Sequence, residues 1–167
     1  MPRVCLGIDP GLGRLGYAIV VQEGALLRAG EFGCICTEPK TSVEKRILQI
    51  HERLGSIIEQ FNPEIVSVER LFFGKNTTTA ENVFQVRGVV LLLAASYRIQ
   101  VVQPKPSEVK LAICGNGRAE KRQVQKMVFR ILNLESFPCQ DDAADALAIA
   151  ATGLAMSDFQ MKTKSGD

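Results

Sequence analysis

Three carboxylates fall within the first five positions of DDAADALAIA, residues 141–150, directly ahead of a run of small apolar residues. Two further acids stand where apolar runs stop: Asp9 after RVCLGI (3–8) and Glu69 after IVSV (65–68). On a helix, Asp142 and Asp145 share a face at a spacing of three, as do Asp141 and Asp145 at four. Ligands in open α/β sheets gather beyond strand ends, which makes Asp9 and Glu69 candidates for one site. Alanines at 143, 144, 146, 148, 150 and 151 would let the helix approach a sheet closely enough to bring its first turn there. Acids also suit helix N-termini in their own right, and that reading applies to 141–145 taken alone. Gathered in one cleft, however, the acids would repel unless a cation compensated them. Oxygen-only ligands suit Mg²⁺, with Mn²⁺ as a substitute. Two such ions can activate water against a phosphodiester, with no Cys or His nucleophile required. The only histidine, His51, sits inside a helical pattern and reads as a surface residue.

The elements that must position these acids follow from periodicity. Residues 3–8, 15–21 and 25–36 read as three strands with connections short enough to make them antiparallel. From Ser42, a candidate N-cap, apolar residues recur at three and four (Val43, Ile47, Ile50, Leu54, Ile57, Phe61) until Asn62-Pro63, an amphipathic helix. Strands are expected over 64–69 and 99–102. Between them lies a helix over 77–98, apolar around most of its circumference between Val83 and Ala95 and so covered on more than one side. A short helix over 107–113, a Gly-Asn-Gly loop, a basic helix over about 119–132 and the alanine-rich helix to about Met156 complete the chain. The expectation is one α/β domain over 1–157, a five-stranded mixed sheet with its first strand central and helices on both faces. Residues 158–167 read as a flexible tail.

Composition narrows the function classes. No run of about 18 uninterrupted apolar residues is present, which argues against a membrane span. The start, MPRVCLGIDPG, reads as strand and turn and not as an export signal. Five scattered cysteines without such a signal fit reduced thiols in a cytoplasmic protein. The net charge of +2 says little, but residues 103–130 carry Lys105, Lys110, Arg118, Lys121, Arg122, Lys126 and Arg130 against Glu108 and Glu120. That stretch is either a phosphate-facing surface or a solvated helix face. Leaving out the four acids Asp9, Glu69, Asp142 and Asp145 sets 20 basic residues against 14 acidic ones, and the remaining +6 suits DNA.

Beyond these patterns, GIDPG (7–11) with Gly16-Tyr17, VERLFFGKN (68–76), QVRG (85–88), GRAEKRQVQKMV (117–128) and DDAADALAIA (141–150) resemble the RuvC family of Holliday junction resolvases. The resemblance runs in order over nearly the whole chain. It implies a ribonuclease H-like fold, a homodimer and Mg²⁺-dependent paired nicking of four-way DNA junctions in recombination and repair. A branch-migration motor would be the usual partner. By position, the metal-binding carboxylates would be Asp9, Glu69, Asp142 and Asp145, with two ions per site, and Asp141 would be a helix acid. Lys121 would be catalytic, acting on charge at the scissile phosphate. Lys110 matches a catalytic or DNA-contacting lysine, and Lys75, Lys105, Arg118 and Arg122 join it as DNA-contact candidates. Of Phe72 and Phe73, one would stack on an unpaired base and the other anchor the loop, with Phe72 the stacking ring by resemblance. The apolar helix over 83–95 is the place for a dimer interface, unless it is buried within one subunit.

Other readings have their own residues. GIDPGLGRLGYAIV also resembles the first phosphate-binding hairpin of actin-like and sugar-kinase-like ATPases, which need a second domain and a glycine-rich adenosine motif. A junction-binding module without cutting would not need all four acids. A ribonuclease H-like nuclease acting on another nucleic acid would keep them all.

Overall fold

The computed structural model describes residues 2–70, 77–135 and 141–164. Its strands are β1 (Arg3–Asp9), β2 (Arg14–Glu23), β3 (Leu26–Cys36), β4 (Ile65–Val68) and β5 (Gln100–Val102). They form one sheet in the order β3-β2-β1-β4-β5, with β1 in the centre as expected. β1 pairs antiparallel with β2, and β2 with β3, through short connections. β4 joins β1 in parallel, and β5 joins β4 in parallel. Parallel neighbours need crossovers. These are supplied by α1 (Val43–Phe61) and α2 (Thr77–Ser96).

α1 begins after Ser42, as its sequence suggests, although the Ser42 hydroxyl bonds Glu44 and not the helix backbone. It ends at Asn62, whose left-handed backbone (φ 44°) lets its N–H donate to the Ile58 carbonyl. α1 and α2 cover one face of the sheet, where Leu6, Ile8, Ile19, Val66 and Val68 meet Ile50, Leu54, Val86, Val90 and Leu93. The other face carries α3 (Pro106–Cys114), α4 (Lys121–Ile131) and α5 (Asp141–Lys164). There Cys5, Ala18, Val20 and Ile65 pack against Leu147, Ala150 and Leu154 of α5. Helices thus lie on both faces. Leu147 and Leu154 are almost wholly buried, and each contributes roughly 1.5–3 kcal/mol of hydrophobic stabilisation.

Strand alternation decides which acid faces which layer. In β1, Leu6 and Ile8 turn toward α1 and α2, so Cys5, Gly7 and Asp9 turn toward α5. In β2, Gly16, Ala18 and Val20 take the α5 side by the same period. Two glycines make this contact close. A Cβ on Gly7 would run into the Ala146 carbonyl and Ala150, and one on Gly16 into the Asp142 carbonyl. α5 therefore lies with its backbone against the two central strands, and the alanines predicted to allow this line the contact.

α5 does not end near Met156, as the sequence suggests, but continues to Lys164. The cause is a polar anchor: Ser157 is fully buried, and Arg3 donates to Ser157 and Asp158 while Gln22 donates to Asp158. Helical structure therefore reaches into the segment expected to be a loose tail. Among the described residues, no helix is long and apolar enough to cross a membrane.

Candidate active site

β1 delivers Asp9 as its last residue, and Glu69 follows β4 directly. Parallel pairing aligns Ile8 with Val68, so the two carboxylates leave adjacent strands side by side. α5 supplies the rest, because its contact with Gly7 and Gly16 sets its first turn over those strand ends. The result is a cleft of about 190 Å³ lined by Asp9, Glu69, Asp145, Lys110 and Lys121, with an apolar wall that includes Val109 and Val124.

The charges in the cleft are strained against each other. Burial raises the Asp9 carboxyl to about 7, and the charges of Asp145, Glu69 and Asp142 add to the rise against the opposing pull of Lys121. Burial followed by Asp145 raises Glu69, with Lys110 acting the other way. Asp145 is also raised, chiefly by burial, although Lys121 counters it. Lys121 Nζ lies 2.8 Å from Asp145 Oδ2, and that bond raises the lysine in turn.

Asp142 stands apart from the cleft lining. Arg14 Nε approaches its Oδ2 to 3.1 Å without hydrogen-bond alignment, and this oxygen is buried with no hydrogen-bond partner. Its proximity to the others shows in the electrostatics of Asp9 and Asp145. Asp141, by contrast, is 73% exposed and reaches only Gln125 and, at 3.8 Å, Lys121. The structure places the three helix acids differently: Asp142 and Asp145 turn inward, and Asp141 stays at the helix mouth.

The donor set fits a hard divalent cation. All four groups offer only oxygen, their mutual repulsion calls for positive charge, and one buried Asp142 oxygen lacks a partner. Among the described residues, no three His, Cys, Asp or Glu side chains are already gathered as a metal cage. Two of the acids are engaged by cations of the chain itself, Asp145 by Lys121 and Asp142 by Arg14.

The remaining candidates divide clearly. Lys110 and Lys121 reach the cleft. Lys105 precedes α3, where its backbone N–H donates to Glu108 at 2.7 Å, and its side chain is exposed. Arg118 and Arg122 are exposed beside α4 and on it. Phe72, Phe73 and Lys75 lie outside the described residues. His51 is half-buried on α1, on the sheet face away from α5, and takes no part in the site. The described cysteines, Cys5, Cys34, Cys36 and Cys114, are free.

Sequence reasoning passed over Arg14, Gly7, Gly16 and Arg87. The glycines lay within quoted motifs, GIDPG and Gly16-Tyr17, yet nothing local says what crosses above them. Arg87 lay within a quoted motif, QVRG, yet a charge beside an apolar run does not name its partner.

A five-stranded mixed sheet with helices on both faces, and acids at the ends of β1, β4 and the start of α5, defines a ribonuclease H-like domain. Within that class, the chain belongs to the crossover junction endodeoxyribonuclease RuvC family, whose model matches residues 5–153. It is 48% identical over 145 residues to the crossover junction endodeoxyribonuclease RuvC of Thermomicrobium roseum, covering 87% of this chain and 88% of that protein. The Thermus thermophilus RuvC structure matches with a TM-score of 0.86 at 35% identity, over 94% of this chain and 96% of that one. The T. thermophilus RuvC in complex with a Holliday junction substrate matches at 0.85 and 34% identity, over 93% and 96%.

Proposed function

We propose that this chain is a Holliday junction resolvase, an endodeoxyribonuclease that nicks four-way DNA junctions in recombination and repair. The observation that carries the reading is the convergence of Asp9, Glu69 and Asp145 with Lys110 and Lys121 on one cleft, in a chain of this family. Asp9, Glu69, Asp142 and Asp145 would hold Mg²⁺, two ions per site, with Mn²⁺ able to substitute. Bound there, the ions would supply water activation and stabilisation of the leaving oxygen.

The chain's own residues do the rest. Half-buried Asp9 and Glu69 share their cleft with Val109 and Val124, where charge on a phosphate is screened less than in water. Lys121 exchanges its bond to Asp145 for the scissile phosphate, where its ammonium stabilises developing negative charge. Lys110 faces the same space from α3. Lys105, Arg118 and Arg122 offer phosphate contacts outside the cleft, which would make junction affinity fall with salt. Phe72, Phe73 and Lys75 belong to the junction-contacting loop by resemblance.

Two like-polarity nicks need two active sites related by a two-fold axis, hence a homodimer. Leu92 is 60% exposed on the apolar helix α2, which supports placing the interface there. The enzyme would act in the cytoplasm, with a branch-migration motor as the partner the family resemblance implies.

The test is cleavage of an end-labelled synthetic four-way junction beside linear duplex of the same sequence, with Mg²⁺ and with chelator. Paired symmetric nicks in the junction alone, dependent on metal, are expected. Metal-dependent cutting of other nucleic acid only would keep the site and discard the substrate. Tight junction binding without cutting across varied sequences would leave a binding module.

A further inference from the structure

Among the described residues, Arg87 is the only buried charged side chain, 9% exposed on α2 just before its apolar second half. It makes no ion pair within the described residues. Instead its guanidinium spreads over two neutral oxygens: Nη1 donates to the backbone carbonyl of Glu69, and Nη2 to the side-chain oxygen of Gln103, just past β5. Burying a cation without a carboxylate partner is unfavourable, so packing alone gives no reason for an arginine here.

The carbonyl it holds belongs to a particular peptide unit. The Glu69 carbonyl and the Arg70 N–H are two ends of one planar group. The Arg70 N–H donates to the Pro104 carbonyl at 2.7 Å, continuing the β4–β5 pairing beyond both strands. The plane is therefore gripped from opposite sides, by Arg87 through its oxygen and by Pro104 through its N–H. Fixing that plane also fixes the carbonyl carbon of Glu69, which with the end of β4 sets the N–Cα–C frame from which its side chain leaves. A lysine could not reproduce this, since a single ammonium lacks the planar fork that spans two acceptors in different segments.

We propose that Arg87 is a positioning residue that locks the Glu69–Arg70 peptide, so that the Glu69 carboxylate is held toward Asp9 and Asp145. This rests on the reading of the cleft as a metal-dependent nuclease site. Arg87 does not line the cleft and bonds the backbone of Glu69, not its carboxylate, so its effect passes through the backbone. Gln103 serves as the second anchor that keeps the guanidinium in plane. Because α2 carries the clamp, the helix proposed for the dimer interface also sets the geometry of a catalytic acid.

The experiment compares full-length wild type with Arg87→Lys and with Gln103→Leu, a milder change at an exposed side chain. Amide hydrogen exchange reports the clamp without substrate: Arg70 should exchange at least about tenfold faster in Arg87→Lys, with β1 amides unchanged. Single-turnover nicking of the synthetic junction should fall by about 10- to 100-fold, the scale expected for a misplaced catalytic group. Junction affinity should stay within about twofold, and the Mg²⁺ concentration for half-maximal rate should rise. Gln103→Leu should move each quantity the same way by a smaller factor, and it decides the matter if Arg87→Lys does not fold. Wild-type exchange at Arg70, or a rate that falls only with the folded fraction at unchanged Mg²⁺ dependence, would overturn the proposal. If wild type nicks no junction, the functional reading fails, while exchange at Arg70 still decides whether the clamp exists.

Discussion

The two ends of the contact between α5 and the sheet use the same kinds of residue to opposite effect. At the end near Ser157, Arg3 donates to Glu64, Ser157 and Asp158, and Gln22 joins it at Asp158. Both acids there share the one arginine, each has a donor, and the contacts hold α5 against β1. At the other end, Asp9, Glu69, Asp142 and Asp145 crowd together, with only Arg14 and Lys121 in direct ion pairs with two of them. Both ends are built by one stripe of β1 that faces the helix: Arg3, Cys5, Gly7 and Asp9 in strict alternation. An end whose acids are all paired stabilises, whereas one where Asp9 and Glu69 have no ion pair among the described residues is poised to take a cation and a phosphate.

The largest expected effect comes from breaking the unpaired end. Asp142→Asn should lower junction nicking by roughly 10³-fold or more while leaving junction binding largely intact, as for loss of a group acting on the transition state. An equal loss of binding in a gel-shift assay would count against a purely catalytic role. Next is Gly16→Val, which drives a side chain into the Asp142 carbonyl and lifts α5 from the strand ends. It should cost about 1–3 kcal/mol in denaturant unfolding and reduce nicking beyond the loss of folded protein. Full activity would show that the close contact is not what aligns the acids.

Lys121→Ala should slow single-turnover nicking by about 10- to 100-fold. An unchanged rate would return Lys121 to the class of surface lysines.

Smaller still is a change in stability measured without metal. Asp9 is held near 7, against an ordinary value of 3.8, so the folded chain grips this proton more tightly than the unfolded chain. The stability tied to that proton is full below about pH 4 and is lost as pH rises through about 7. In chelator at pH 8, Asp9→Asn should therefore melt higher than wild type, by about 2–4 °C for each kcal/mol of relieved repulsion. The advantage should shrink toward pH 4, and a pH-independent difference would sink this account. At the paired end, Arg3→Ala should cost about 1–3 kcal/mol of stability by leaving Asp158 and Ser157 short of donors. Nicking per folded molecule should not change, and a fall in that rate would mean that the two ends of α5 are coupled.

Much of the fold was legible because its signals are local. Apolar spacing marked α1, short turns marked the antiparallel hairpins, and Asn62-Pro63 marked a helix end. The end of α5 was misjudged for an equally physical reason. A polar stretch from Ser157 onward looks like a frayed tail until Arg3, far away in sequence, is placed beneath it. The site was legible as a set of residue types: acids after two strands and at the start of an alanine-rich helix. Arg14 and Arg87 were not, because an arginine's partner is set by which segments cross near it.

By itself, the sequence determined which acids are available, that each stands at the edge of an element, and that an alanine-rich helix could come close to a sheet. Those properties depend on neighbours within two to four residues, where strand and helix periods operate. Only the tertiary structure decided that Asp9 and Glu69 emerge side by side, that Asp145 turns into their cleft while Asp141 does not, and that Arg87 grips the peptide of Glu69. Each of these depends on segments that meet through the parallel pairing of β1 with β4 and the seating of α5 on Gly7 and Gly16. No local period carries that information, since it exists only once the chain has closed on itself.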